Sequence, residues 1–113
     1  MTLTELKYIV ALAREKHFGR AAEACFVSQP TLSVGIKNLE EELQVKLFER
    51  SANEVSVTPL GEEIIRQAQS VLEQAAEIKE IARGYGLDTF ETVFELVDYD
   101  EITIYKARRS TQS

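Results

Sequence analysis

Ser28, Gln29, Pro30, Thr31 and Ser33 fall within six consecutive residues, followed by Val34 and Lys37, with Arg50 further along. These residue types suit a polymer groove better than bond-breaking chemistry. Gln29 can pair bidentately with an adenine edge. Pro30, Val34 and the Thr31 methyl offer apolar surface to thymine methyls. The hydroxyls of Ser28, Thr31 and Ser33, with free N–H groups at a helix start, suit phosphate oxygens. Lys37 adds a phosphate-directed charge, and Arg50 can reach backbone or minor groove. The plainer readings are ordinary surface polarity for Gln29, Thr31 and Ser33, a tolerated exposed apolar residue for Val34, and solvated charges for Lys37 and Arg50. No Gly-rich phosphate loop, no nucleophile with a placed base and no metal-ligand spacing is visible, so neither enzyme activity nor a cofactor is expected.

The elements that must position these residues can be traced from hydrophobic spacing. Leu3, Leu6, Ile9 or Val10, and Ala13 predict an amphipathic helix over 3–16, capped by Thr2 or Thr4. Phe18, Ala21, Ala22 and Cys25 predict a short second helix, and Phe26-Val27 a tight connection. Ser28 is the cap of a third helix, with Pro30 in its first turn and Leu32, Ile36, Leu39 and Leu43 as its buried stripe. Glu40, Glu41 and Glu42 cannot share one face and read as solvated. Residues 46–50 and 54–57 alternate around Ser51-Ala52-Asn53, which predicts a small β-hairpin. Thr58-Pro59 opens a long helix. In it Ile64, Ala68, Val71, Ala75, Ile78 and Ala82 step by four and three, and Ile65 and Leu72 widen the stripe. So much apolar helix calls for a partner helix. Gly84-Tyr85-Gly86 is predicted to end it. Residues 92–97 and 102–106 have strand propensity and suggest a second hairpin, with a helix over 88–97 as the alternative.

The chain has 113 residues, a single Cys and a single His, and a formal net charge of −6. One Cys excludes an intramolecular disulfide framework, and one Cys with one His excludes a Cys/His zinc cluster. Cys25 reads as a small buried hydrophobe rather than a redox switch, and His17 as a structural residue at a helix end. No signal sequence and no membrane-length apolar run is visible, so a cytoplasmic address without membrane partners is expected. The acidity argues against a nucleic-acid partner only until it is sorted. Residues 1–58 hold seven Lys and Arg against eight Glu, or −1, while 59–83 hold −2 and 84–113 hold −3.

Several runs together resemble one family. They are Phe18-Gly19-Arg20-Ala21-Ala22, Val27 through Ser33, Leu39 through Leu43, Leu47-Phe48-Glu49-Arg50 and Thr58-Pro59-Leu60-Gly61. They resemble the N-terminal region of LysR-type transcriptional regulators, and 17–33 is most similar to the peroxide-sensing OxyR branch. The resemblance covers 1 to about 83. It implies a mainly α fold: a winged helix-turn-helix over 1–58, a linker and dimerisation helix over 59–83, and an acidic tail over 84–113. It also implies a bacterial, cytoplasmic regulator that binds double-stranded DNA as a homodimer on an inverted repeat. Residues matching Gln29, Pro30, Thr31 and Ser33 then approach bases or phosphates, and Arg50 belongs to the wing. The sequence departs from the family where Val34 and Asn38 replace frequent arginines and Asn53-Glu54 replaces a basic wing tip. A weaker phosphate clamp is therefore expected. Residues 84–113 are too few for the family's ligand-sensing domain, so a regulator without its own sensor is expected. The alternative is an interaction protein that does not bind DNA and pairs with a full-length regulator through its linker helix.

Overall fold

The computed structural model describes residues 1–52 and 54–86. The strand and helix expectations beyond 86, and Asn53 in the hairpin tip, lie outside the described residues. The element order is three helices, a two-stranded hairpin and a long helix.

Polar side chains start each helix. Thr2 precedes α1 (Leu3–Glu15). Its Oγ1 accepts from the Glu5 N–H at 3.1 Å, and the Glu5 carboxylate accepts from the Thr2 N–H at 3.0 Å. That reciprocal pair satisfies two donors a helix start leaves open. α2 (Phe18–Ala24) begins after His17, whose Nδ1 accepts from the Arg20 N–H at 3.1 Å. Cys25, expected as a core residue of this helix, is its half-buried terminal cap. Phe26, at φ 58°, then turns the chain toward α3 (Gln29–Leu43). Ser28 caps α3 and Pro30 lies in its first turn, where a missing N–H costs nothing.

Strands β1 (Phe48–Ser51) and β2 (Glu54–Val57) pair antiparallel, with Phe48 opposite Val57 and Arg50 opposite Val55. The first strand starts later than its alternation predicts. The Leu47 N–H is already taken by the Glu40 carboxylate at 2.7 Å. Thr58 then opens α4 (Pro59–Gly86). Its Oγ1 accepts from the Gly61 N–H at 2.9 Å and donates to the Lys46 carbonyl at 2.7 Å, so one hydroxyl caps the helix and ties it to the hairpin root. α4 passes Gly84 in helical form and runs to Gly86, within the Gly84-Tyr85-Gly86 run where the sequence predicts its end. No glycine among the described residues takes the positive φ of a terminating cap, and helical glycine costs only about 1 kcal/mol.

The chain divides into two compact units, Met1–Gln69 and Ser70–Ser113. In the first, α1, α2 and α3 pack on one another around the fully buried Ile9, Leu12, Leu32, Leu39 and Leu47. Two glycines permit close approach. A Cβ at Gly35 would fall 2.6 Å from the Tyr8 ring, and one at Gly61 would strike the Leu47 carbonyl. In the second unit, Leu72, Ala76 and Arg83 are buried.

The glutamate run is not uniformly solvated. The Met1 ammonium donates to Glu42 Oε1 at 2.6 Å, which raises the pKa of that ammonium. Glu40 is half-buried and engaged, and only Glu41 matches the solvated expectation.

Candidate nucleic-acid interface

The N-terminal end of α3 presents Gln29, Pro30 and Thr31, all exposed. The Ser28 Oγ accepts from the Thr31 N–H at 3.2 Å, and its hydroxyl donates to Thr31 Oγ1 at 2.8 Å. A hydroxyl has one hydrogen, so Ser28 is spent on capping and Thr31 keeps its own hydrogen for an outside acceptor. The free N–H groups expected at this helix start are also fewer. Thr31 is capped, Pro30 has no N–H, and the Leu32 N–H begins the helical ladder on the Ser28 carbonyl at 3.1 Å. Gln29 is left as the first-turn donor that faces outward.

One turn further on, Ser33, Val34 and Lys37 line a groove of about 420 Å3. Its far wall is the hairpin, with Lys46, Phe48 and Arg50, and α2 contributes Phe18. Val34 is 57% exposed, available to an apolar partner rather than needed by the core. Four of the eight predicted contact residues therefore share one concavity: Ser33, Val34, Lys37 and Arg50. The other four, Ser28 to Thr31, stand at the helix tip beyond it. The expected departure at Asn38 is an exposed residue of the same helix.

Charge in the groove is one-sided. Among the described residues no carboxylate lies within ion-pair distance of Lys37, Lys46 or Arg50. Glu40 also lines the groove, giving three cations against one anion, or +2. Its Oε2 is committed to backbone, accepting from the Leu47 N–H at 2.7 Å and the Phe48 N–H at 3.3 Å. The carboxylate thus fastens the root of β1 to α3 instead of neutralising a lysine.

Sequence reasoning missed Lys46, Glu40 and Phe18. Lys46 carries a signal in hindsight, a cation just before a predicted strand. Glu40 and Phe18 carry none, because their partners arrive only when the hairpin folds back. The Arg50 guanidinium carbon lies 4.1 Å from the Phe18 ring centroid.

The seven residues predicted as one dimerisation stripe divide on α4. Ala68 and Leu72 are buried with Ile65 and Ala76, and Ile64 and Ala75 are half-buried. Ala82 is exposed, Val71 is 40% exposed and Ile78 68% exposed. Leu60 lies on the same exposed side, at 45%. No helix among the described residues is long and apolar enough to cross a membrane.

Residues 3–62 match the family described as bacterial regulatory helix-turn-helix protein, lysR family. The hydrogen peroxide-inducible genes activator of Pectobacterium carotovorum is 46% identical over 86 residues, covering 76% of this chain and 28% of that protein. This chain thus spans under a third of the relative's length. Full-length OxyR from Pseudomonas aeruginosa, in a cysteine-to-aspartate form, superposes with a TM-score of 0.70 at 68% identity, over 73% of this chain and 28% of its own. The DNA-binding domain of BenM, solved on benA site 1 DNA, superposes with a TM-score of 0.71 at 35% identity, over 76% of this chain and 99% of its own. These relatives are regulators, not enzymes.

Proposed function

This chain belongs to the LysR family of bacterial regulatory helix-turn-helix proteins, and from that premise we propose that it is a sequence-specific regulator of transcription, binding an inverted-repeat operator as a homodimer. The observation that carries the proposal is the groove beside α3, where Lys37, Lys46 and Arg50 stand without carboxylate partners among the described residues. Cations left unpaired on both walls of a groove suit phosphates of a duplex. α3 enters the major groove by its N-terminus, where Gln29 reads a base edge, Pro30 and Val34 meet thymine methyls, and Thr31 and Ser33 donate to phosphates. The BenM domain, solved on DNA with this fold, supports that placement.

Dimerisation is assigned to α4. Leu60, Ile64, Val71, Ala75, Ile78 and Ala82 recur on one side at heptad-like spacing, and the larger ones are at least partly exposed. A second copy's α4 would cover them and place two recognition helices on two half-sites. The interaction-only alternative would need α4 but not the cationic groove, so the groove favours DNA binding.

The test is a gel shift with the whole 113-residue chain on duplexes it selects from a random-sequence pool. Enrichment of an inverted repeat, with half-sites about one helical turn apart and bound by two chains, is expected. Failure to retain any duplex, while the chain still co-purifies with a full-length relative, would overturn the proposal.

A further inference from the structure

Arg50 occupies an unusual place in the hairpin. It stands opposite Val55 and two residues from Phe48 on β1, so its side chain belongs to the face that buries Phe48 and Val55. That register calls for an apolar residue. The strand instead carries a cation there that stays exposed, and the face of Phe18, from the start of α2, meets it at 4.1 Å. An aromatic face carries partial negative charge, and a flat guanidinium laid on it keeps its N–H edges free. No carboxylate among the described residues competes for those edges. Both side chains line the groove that also holds Lys37 and Lys46.

We infer that Phe18 is a positioning residue for DNA binding: its ring holds the Arg50 guanidinium at the groove mouth, ordered in advance for a backbone phosphate. An arginine otherwise loses much rotamer freedom when it docks. The Phe18 ring removes that cost before the duplex arrives. This inference rests on the DNA-binding reading above. It adds a residue that itself touches no DNA.

The test is a double-mutant cycle on the whole chain, using a duplex of about 30 base pairs selected by the wild type. Phe18→Leu keeps apolar volume and loses the aromatic face. Phe18→Tyr keeps both, and Arg50→Gln removes the cation. Phe18→Leu is expected to weaken binding roughly threefold to tenfold. It is also expected to flatten the log-affinity against log-salt slope by up to about 0.9. In the Arg50→Gln background the same change is expected to cost nothing more, and Phe18→Tyr is expected to bind as the wild type does. A purely structural Phe18 would lower thermal stability and weaken binding equally in both backgrounds, which would overturn the inference. So would a Phe18→Leu variant with unchanged affinity and slope while Arg50→Gln is weakened. If Arg50→Gln itself binds like the wild type, or the wild type binds no duplex, the phosphate role of Arg50 falls and the inference falls with it.

Discussion

Gln29 and Lys37 are both exposed on α3 but would act differently on a duplex. A base contact specifies, whereas a phosphate contact holds. Gln29→Ala is expected to cost about 1–3 kcal/mol on a selected duplex and to relax preference at one base pair, with the salt slope unchanged. Competition between the selected duplex and single-base variants measures this. Ser28 acts one step removed. Its Oγ caps α3 and its hydrogen engages Thr31 Oγ1, so Ser28→Ala is expected to destabilise the fold by about 1 kcal/mol in urea unfolding. Val34 and Asn38 are exposed and uncharged on α3, where the resemblance leads one to expect arginine. Each missing phosphate contact removes about 0.9 from the salt slope, so this chain is expected to show a shallower slope than a more basic relative.

At the scale of elements, the relation between α3 and the hairpin matters most. Glu40 reaches from α3 to the N–H groups of Leu47 and Phe48. Glu40→Ala leaves both donors without that acceptor at a half-buried site. A loss of about 1–3 kcal/mol in urea unfolding is expected, with weaker DNA binding because Lys46 and Arg50 lose their register to Lys37. Gly35→Ala tests the packing of α1 on α3. A Cβ there meets the Tyr8 ring at 2.6 Å, so overpacking of about 1–3 kcal/mol should outweigh the gain in helix propensity. The element order was legible in the sequence because its signals are local. The caps at Thr2, Ser28 and Thr58 each act on a residue three positions on, and the buried stripes follow helical spacing. The late start of β1 was not legible. The residues at its start are held by the Glu40 carboxylate, which lies seven and eight positions back on α3. Nor was the meeting of Phe18 and Arg50, which requires the finished hairpin.

In the whole molecule, the α4 stripe and the charge each split into unlike parts. Heptad spacing merged two neighbouring faces of α4. Ala68 and Leu72 belong to the buried one, whereas Val71 and Ile78 belong to the exposed one. Replacing Val71 and Ile78 with Glu is expected to yield monomers in sedimentation equilibrium and to weaken binding to an inverted repeat, with the core around Ile9, Leu32 and Leu39 unaffected. Single-site binding of unchanged dimers would contradict the assignment of α4. The net charge of −6 describes the chain but not its groove, where three cations face one committed carboxylate. The measurement that tests the groove most directly is the salt dependence of duplex binding, wild type against a variant with Lys37, Lys46 and Arg50 all changed to Gln. If these cations hold phosphates, the slope is expected to fall by up to about 2.7, or three contacts at about 0.9 each. Equal slopes for the two proteins would show that the groove does not hold the duplex.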